Sequence, residues 1–184
     1  GLHFFEDRLL DELPDGPSDL VPALYARLAS ERRLGVFFHQ GFWWEFGTPE
    51  TYREGVLRLL GLPDGERAAI LRHDDVTTAS GVPVAVGPGA RWRDGVVWGE
   101  GAAIGARCEL GGDARVRESV LLDDVVVGDR AVLDRCVVGP GAHIPRGARF
   151  TDALICADDG GDAPLSPGIA RVDGLLVRPI GADR

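Results

Sequence analysis

Apolar residues fall into two different rhythms along this chain. From about residue 84 they recur every six positions, at Val86, Trp92, Trp98, Ile104, Leu110 and Val116. Small residues follow four positions behind most of them, at Ala90, Val96, Ala102, Cys108 and Ala114. The leaders continue as Leu121, Val127, Leu133, Val138, Ile144 and Phe150, with two steps shortened to five. Ser119, Cys136 and Ala153 are evenly spaced, at the same interval as Val116, Leu133 and Phe150. An amphipathic helix has a period of 3.6, so this is not one. Three such steps make one turn of a triangular coil, and repeated turns make a stacked solenoid. The pattern predicts a left-handed parallel β-helix of about four coils over 84–155. Each leader points inward and each small residue fits a corner. The leaders Trp92 and Trp98 are expected in its packing.

Residues 1–61 follow a different rhythm, which predicts an α/β segment. Residues 2–5, "LHFF", and the "VFF" after Gly35 are strand candidates, and 6–13 is a short helix candidate. Ser18 or Asp19 can cap a helix with Leu20, Leu24 and Leu28 on one stripe and Pro22 in its first turn. Thr48 is an N-cap, Pro49 the first helical residue, and Glu50 faces the helix dipole. Tyr52, Val56, Leu59 and Leu60 share one face, and Gly61 and Pro63 end the helix. Residues 62–83 read as a linker with one or two helical turns. The tail, 156–184, is rich in turns, and its "GLLVRPI" is a candidate last strand capping the open solenoid end.

Composition narrows the function classes. The 184 residues, 45% of them hydrophobic, suffice for one sizeable domain or two small ones. A net charge of −9 argues against a nucleic-acid partner. The apolar runs are far shorter than the roughly 20 residues of a membrane helix, and no secretory leader is visible. Cys108, Cys136 and Cys156 form neither a close pair nor a metal-type motif, which fits free thiols and a cytoplasmic chain. The chain contains no lysine. It begins with Gly1, as part of a longer protein or a processed terminus would.

One stretch carries candidate chemistry: "GFWWEFGTPETY", residues 41–52. An α/β segment ending in W-x-acid-x-G-T-P-E-x-Y, followed by hexapeptide repeats, resembles the sugar-1-phosphate nucleotidyltransferases. Among them, the mannose-1-phosphate guanylyltransferase and glucose-1-phosphate adenylyltransferase branch is most similar. "GLHFFEDRLLDELPDGPSDL" also looks like a late strand–helix segment of that family. The resemblance covers roughly 1–60 and 84–155. It implies transfer of a nucleotidyl group from an NTP to a sugar-1-phosphate, with release of pyrophosphate. It also implies that the Gly-rich nucleotide loop and signature lysine lie upstream, so that this chain alone is inactive. In many members the acid of the motif is Asp and helps hold magnesium; here it is Glu45. By the same resemblance Trp43, Gly47 and Thr48 are substrate-binding candidates, and the solenoid is a route to homo-oligomers.

Plainer readings stand beside these. Glu45 can be a strand-end acid and Thr48 a cap alone. Trp43 and Trp44 can be alternate faces of a strand, one in the core and one at a pocket wall. Two other functions are open. One is a non-catalytic regulatory paralogue with a decayed site. The other is a hexapeptide acyltransferase, for which His143 is the one histidine in the coil. "HDD", His73–Asp75, is a weak metal candidate in a polar linker.

Overall fold

The computed structural model describes residues 2–71, 76–79, 82–99, 101–161 and 164–181. The chain divides into two compact units, Gly1–Trp43 and Trp44–Arg184. This division falls ahead of the boundary expected at 61, because the helix after Gly-Thr-Pro packs with the repeats.

The second unit is a parallel β-solenoid. Its strands are β1 (Val76–Ala79), β2 (Val82–Val86), β3 (Arg91–Trp92), β4 (Val97–Trp98), β5 (Ala102–Ile104), β6 (Glu109–Leu110), β7 (Arg115–Arg117) and β8 (Ser119–Leu121), then β9 (Val126–Val127), β10 (Val132–Asp134), β11 (Val137–Val138), β12 (His143–Ile144), β13 (Arg149–Thr151), β14 (Ala153–Ala157), β15 (Ala170–Val172) and β16 (Leu175–Pro179). Three faces result, with strand orders β3–β6–β9–β12, β4–β7–β10–β13 and β2–β5–β8–β11–β14. They make about four turns.

Register follows the leader residues. Trp98, Val116, Leu133 and Phe150 pair in one column. Trp92, Leu110, Val127 and Ile144 form the second. Val86, Ile104, Leu121, Val138 and Ile155 form the third. Val116 and Leu133 are fully buried, and Phe150 packs partly buried against the same core. The expected column is therefore formed. Each such aliphatic side chain contributes about 1.5–3 kcal/mol on burial.

The step from one coil to the next is 18 residues at the start and 17 afterwards. The corner leading to β8, β11 and β14 loses one residue. Its turn is made by single residues in the left-handed region, Glu118 (φ 42°), Arg135 (φ 52°) and Asp152 (φ 47°). The small-residue column meets this corner. There the buried Ser119 hydroxyl donates to Arg117 O (2.7 Å) and accepts from Cys136 N (2.9 Å). A polar side chain is thereby satisfied inside an apolar prism.

Both ends of the largest face are finished by antiparallel strands. β1 pairs with β2, and the tail supplies β16 against β14 with β15 outside it. The expected last strand is thus present and covers an open edge. Three helices are α1 (Ala26–Ser30), α2 (Pro49–Leu60) and α3 (Asp64–Leu71). The stretch 62–83, read as a linker, holds α3 and β1. Arg67 of α3 donates to Leu60 O and Leu62 O, both at 3.0 Å, and so ties α3 to the end of α2. His73, Asp74 and Asp75 lie outside the described residues.

The first unit departs from expectation. Residues 2–5 and 36–38 are not strands, and the described residues up to 61 contain helices only. The α/β layer expected there is not formed. A strand needs a neighbour to take its backbone groups, and these segments pair with none among the described residues. What does form is a 3-10 turn at Asp7–Glu12 and a π-helical turn at Val21–Tyr25 running into α1. Asp19 Oδ1 accepts from Val21 N at 2.9 Å, so Asp19 caps this helix as anticipated. Its core is limited to Leu24 and Leu28. Phe4 and Phe37, each 88% exposed, face solvent.

Candidate functional site around the Gly-Thr-Pro turn

The sequence Gly47-Thr48-Pro49 starts α2 as expected. Thr48 is extended, its Oγ1 accepts from Thr51 N at 3.3 Å, and Thr51 Oγ1 accepts from Thr48 N at 3.0 Å. Pro49 occupies the first turn and Gly61 ends the helix. Leu60 is buried, while Tyr52, Val56 and Leu59 are half-buried.

The two tryptophans separate. Trp43 is 59% exposed and closes the first unit. Trp44 folds onto α2, where its Nε1 donates to Thr51 O at 2.6 Å and the Arg58 guanidinium stacks 4.4 Å from its ring centroid. The close fit requires a glycine: a Cβ at Gly55 would stand 2.2 Å from Trp44 Cδ1. No strand runs through this pair, so the expectation of alternate strand faces is replaced by one ring on a helix and one exposed.

α2 lies on β2, β5 and β8. Arg53, nearly buried, reaches the narrow corner, where its Nη1 donates to Glu118 O at 3.4 Å and stands 3.7 Å from the Glu118 carboxylate. This contact fixes the helix, and with it the Gly-Thr turn, on the solenoid.

A cavity of about 460 Å³ opens at the start of α2, lined by Gly47, Thr48, Pro49, Glu50, Thr51, Arg178 and Gly181. Two expected site residues, Gly47 and Thr48, therefore share one cavity with residues of the tail. Glu50 accepts a hydrogen bond from Gly181 N. The Thr48 hydroxyl, the backbone N–H groups of Glu50 and Gly181, and Arg178 together hold the Glu50 carboxyl below its usual range. Sequence reasoning assigned Glu50 only to the helix dipole and missed Arg178. Nothing in the local pattern signals a contact spanning 131 residues.

Glu45 is exposed, immediately before the turn. Among the described residues no three His, Cys, Asp or Glu side chains are grouped as a metal centre. Glu45 thus offers a single carboxylate at this turn. Burial pushes the Cys136 thiol up to about 11 and raises Cys108 and Cys156 as well. His143, the acyltransferase candidate, is exposed on β12.

The candidate site is thus a Gly-Thr-Pro turn that starts a helix seated on a parallel β-solenoid. Residues 81–161 match the family described as the GMPPB C-terminal domain. Over 155 residues the chain is 26% identical to a protein named probable mannose-1-phosphate guanylyltransferase 2 from Oryza sativa subsp. japonica, covering 84% of this chain and 37% of the relative. It is 26% identical over 160 residues to a mannose-1-phosphate guanyltransferase of Debaryomyces hansenii, covering 86% and 43%. A protein of that name from Gibberella zeae is 24% identical over 159 residues, covering 86% and 44%. The chain spans less than half the length of these relatives. Over most of its length the chain is similar to these mannose-1-phosphate guanylyltransferases.

Proposed function

We propose that this chain forms part of an enzyme that transfers a nucleotidyl group from an NTP to a sugar-1-phosphate. The names of the relatives favour GTP and mannose-1-phosphate. A phosphate oxygen of the sugar-1-phosphate attacks the α-phosphorus of the NTP. The new P–O bond forms as the bond from the α-phosphorus to the β-phosphate oxygen breaks, and pyrophosphate leaves. Catalysis of this type rests on positioning and on neutralising charge.

The observation that carries the reading is the turn at 45–48. Its geometry is held from both sides, by the Thr48–Thr51 capping pair and by Trp44 on α2. In this proposal Gly47 and Thr48 border the sugar-phosphate side, and the exposed Glu45 carboxylate stands beside them in the same turn. Trp43, next to the turn in sequence and exposed, is the ring that would stack on substrate. Gly47 supports this. The nearest atoms a Cβ there would meet belong to the Glu45 side chain, at an ordinary 3.5 Å, so packing within the chain does not demand a glycine. Close approach of a substrate would. Magnesium, when bound, neutralises phosphate charge. Glu45 would be one of its ligands, with the others drawn from substrate or from outside the described residues. We also take the winding to be left-handed, and the whole enzyme to be cytoplasmic and homo-oligomeric through the solenoid. Free cysteines support the compartment, and no described helix is long and apolar enough to cross a membrane.

The test compares the full-length protein with the isolated chain in magnesium, each common NTP, and mannose- or glucose-1-phosphate. Full-length protein is expected to release pyrophosphate, fastest with GTP and mannose-1-phosphate, while the isolated chain stays at background. Robust turnover by the isolated chain, or none by the full-length protein with any pair, contradicts the proposal.

A further inference from the structure

The three corners of the solenoid differ in how they balance charge. At the first corner Arg107 donates to both oxygens of Asp124, at 2.6 and 2.7 Å. At the third, Arg117 clasps Asp134 (3.0 and 2.9 Å) and Arg135 clasps Asp152 (both 2.6 Å). Each is a two-pronged guanidinium–carboxylate pair between stacked coils, the geometry arginine is built for.

The second corner, between the β3–β6–β9–β12 face and the β4–β7–β10–β13 face, leaves that ladder open. Arg130 and Arg146 have no carboxylate partner among the described residues. Arg93 stands 3.7 Å from Asp129, whose Oδ1 already accepts from Gly112 N at 2.9 Å. Asp113 adds one carboxylate to this corner.

This corner is also where the surface is hollow. A cavity of about 310 Å³ is lined by Arg93, Gly112, Asp113, Asp129, Arg130 and Arg146. It shares Arg93, Asp129 and Arg146 with a cavity of about 480 Å³ on the adjoining face. There Arg91, paired with Glu109, and Trp92 complete the wall. Trp92 is a leader residue, yet it is 45% exposed, its ring meeting Trp98 edge-on at 5.6 Å. Four guanidinium groups thus face three carboxylates in a groove, on a chain whose net charge is −9.

We infer that this groove is a binding site for a small polyphosphate-bearing ligand, separate from the Gly-Thr turn. Arg130 and Arg146 take the phosphate oxygens, as open guanidinium forks do. Trp92 offers a π-face to a planar group carried by the same ligand. The inference does not depend on the proposed enzymatic activity.

The test is calorimetric titration of the purified chain with pyrophosphate and with GTP, at low ionic strength where charge contacts are least screened. Arg130 has φ 58°, so it is replaced by Asn, which tolerates the left-handed region, and Arg146 by Gln. Binding of both probes is expected, with a loss of at least tenfold in the Arg130→Asn/Arg146→Gln double variant. Arg107→Gln, in the closed ladder of the first corner, is expected to bind as the parent does. Trp92→Leu is expected to weaken GTP and leave pyrophosphate unchanged, which separates base stacking from phosphate contact. Absence of binding at millimolar probe overturns the proposal. So does equal binding by parent and double variant when circular dichroism shows both folded, or an equal loss in Arg107→Gln.

Discussion

Both units of this chain carry large apolar side chains, but they use them differently. In the solenoid each leader meets its counterpart in the next coil, so that Val116, Leu133 and Ile155 are fully buried. In the first unit Phe4, Phe37 and Phe38 lie more than 80% exposed, and among its described residues Leu24 and Leu28 alone are buried. A repeat carries its own partner in the next coil, so the sequence that writes the pattern also supplies the contact. An isolated run such as "VFF" writes half of a contact, and residues 2–43 do not provide the other half. Burial, more than hydrophobicity itself, therefore separates the two units.

Substitutions sharpen this contrast, the largest effect coming first. Leu133→Ala empties the middle of a column and is expected to cost about 2–5 kcal/mol in urea unfolding. Phe37→Ser is expected to change stability by less than about 0.5 kcal/mol, as exposed positions do. A loss at Phe37 comparable to that at Leu133 would break the comparison. Gly128→Ala is next. A Cβ there would stand 2.5 Å from the Arg146 backbone nitrogen, which cannot move without shifting a coil. A cost of about 1–3 kcal/mol is expected, typical of overpacking. Gly55→Ala meets a ring that can swing away, so the expected signature is a shifted Trp44 fluorescence spectrum. Thr48→Ala removes the cap and is expected to lower stability by about 1 kcal/mol.

Acid gives a further, smaller test. Arg107 holds the Asp124 carboxyl below its usual range, and Arg135 does the same for Asp152. A carboxylate depressed in the folded state contributes stability that is present above its unfolded pKa of about 3.9 and lost as pH falls through the folded value. Thermal midpoints are therefore expected to drop below about pH 4, and Asp124→Asn/Asp152→Asn is expected to flatten that drop. Both carboxylates are on the surface, so the effect is modest. An unchanged acid profile in the double variant would remove the two ladders from the account.

The leader spacing made most of the solenoid legible. It placed the columns, because a period of one coil relates residues that touch, while the tail strand was legible from "GLLVRPI" and the open edge it had to cover. The cap at Thr48 was legible because its chemistry is local. The same spacing held a signal that went unread: Arg107 and Asp124, Arg117 and Asp134, and Arg135 and Asp152 are each 17 residues apart and each form a pair. The seat of α2 was not legible. Arg53 looks like any surface arginine of a helix until Glu118 is brought opposite it, 65 residues away. The strands expected at 2–5 and 36–38 failed for the converse reason, since composition favoured a strand and no described partner strand was present. Within the candidate site, Gly47 and Thr48 were brought to one cavity, while Arg178 arrived through the pairing of β16 with β14.

In the proposed function the turn at 45–48 takes part in nucleotidyl transfer. The most direct measurement is pyrophosphate release by the full-length protein and its Glu45→Ala variant across a magnesium titration. A loss of at least tenfold, about 1.4 kcal/mol in the barrier, is expected. The helix signal should be unchanged, since Thr48 and Pro49 still start α2, and Glu45→Asp should retain activity. Equal rates and equal magnesium dependence in parent and Glu45→Ala would contradict the claim and leave the turn a helix cap.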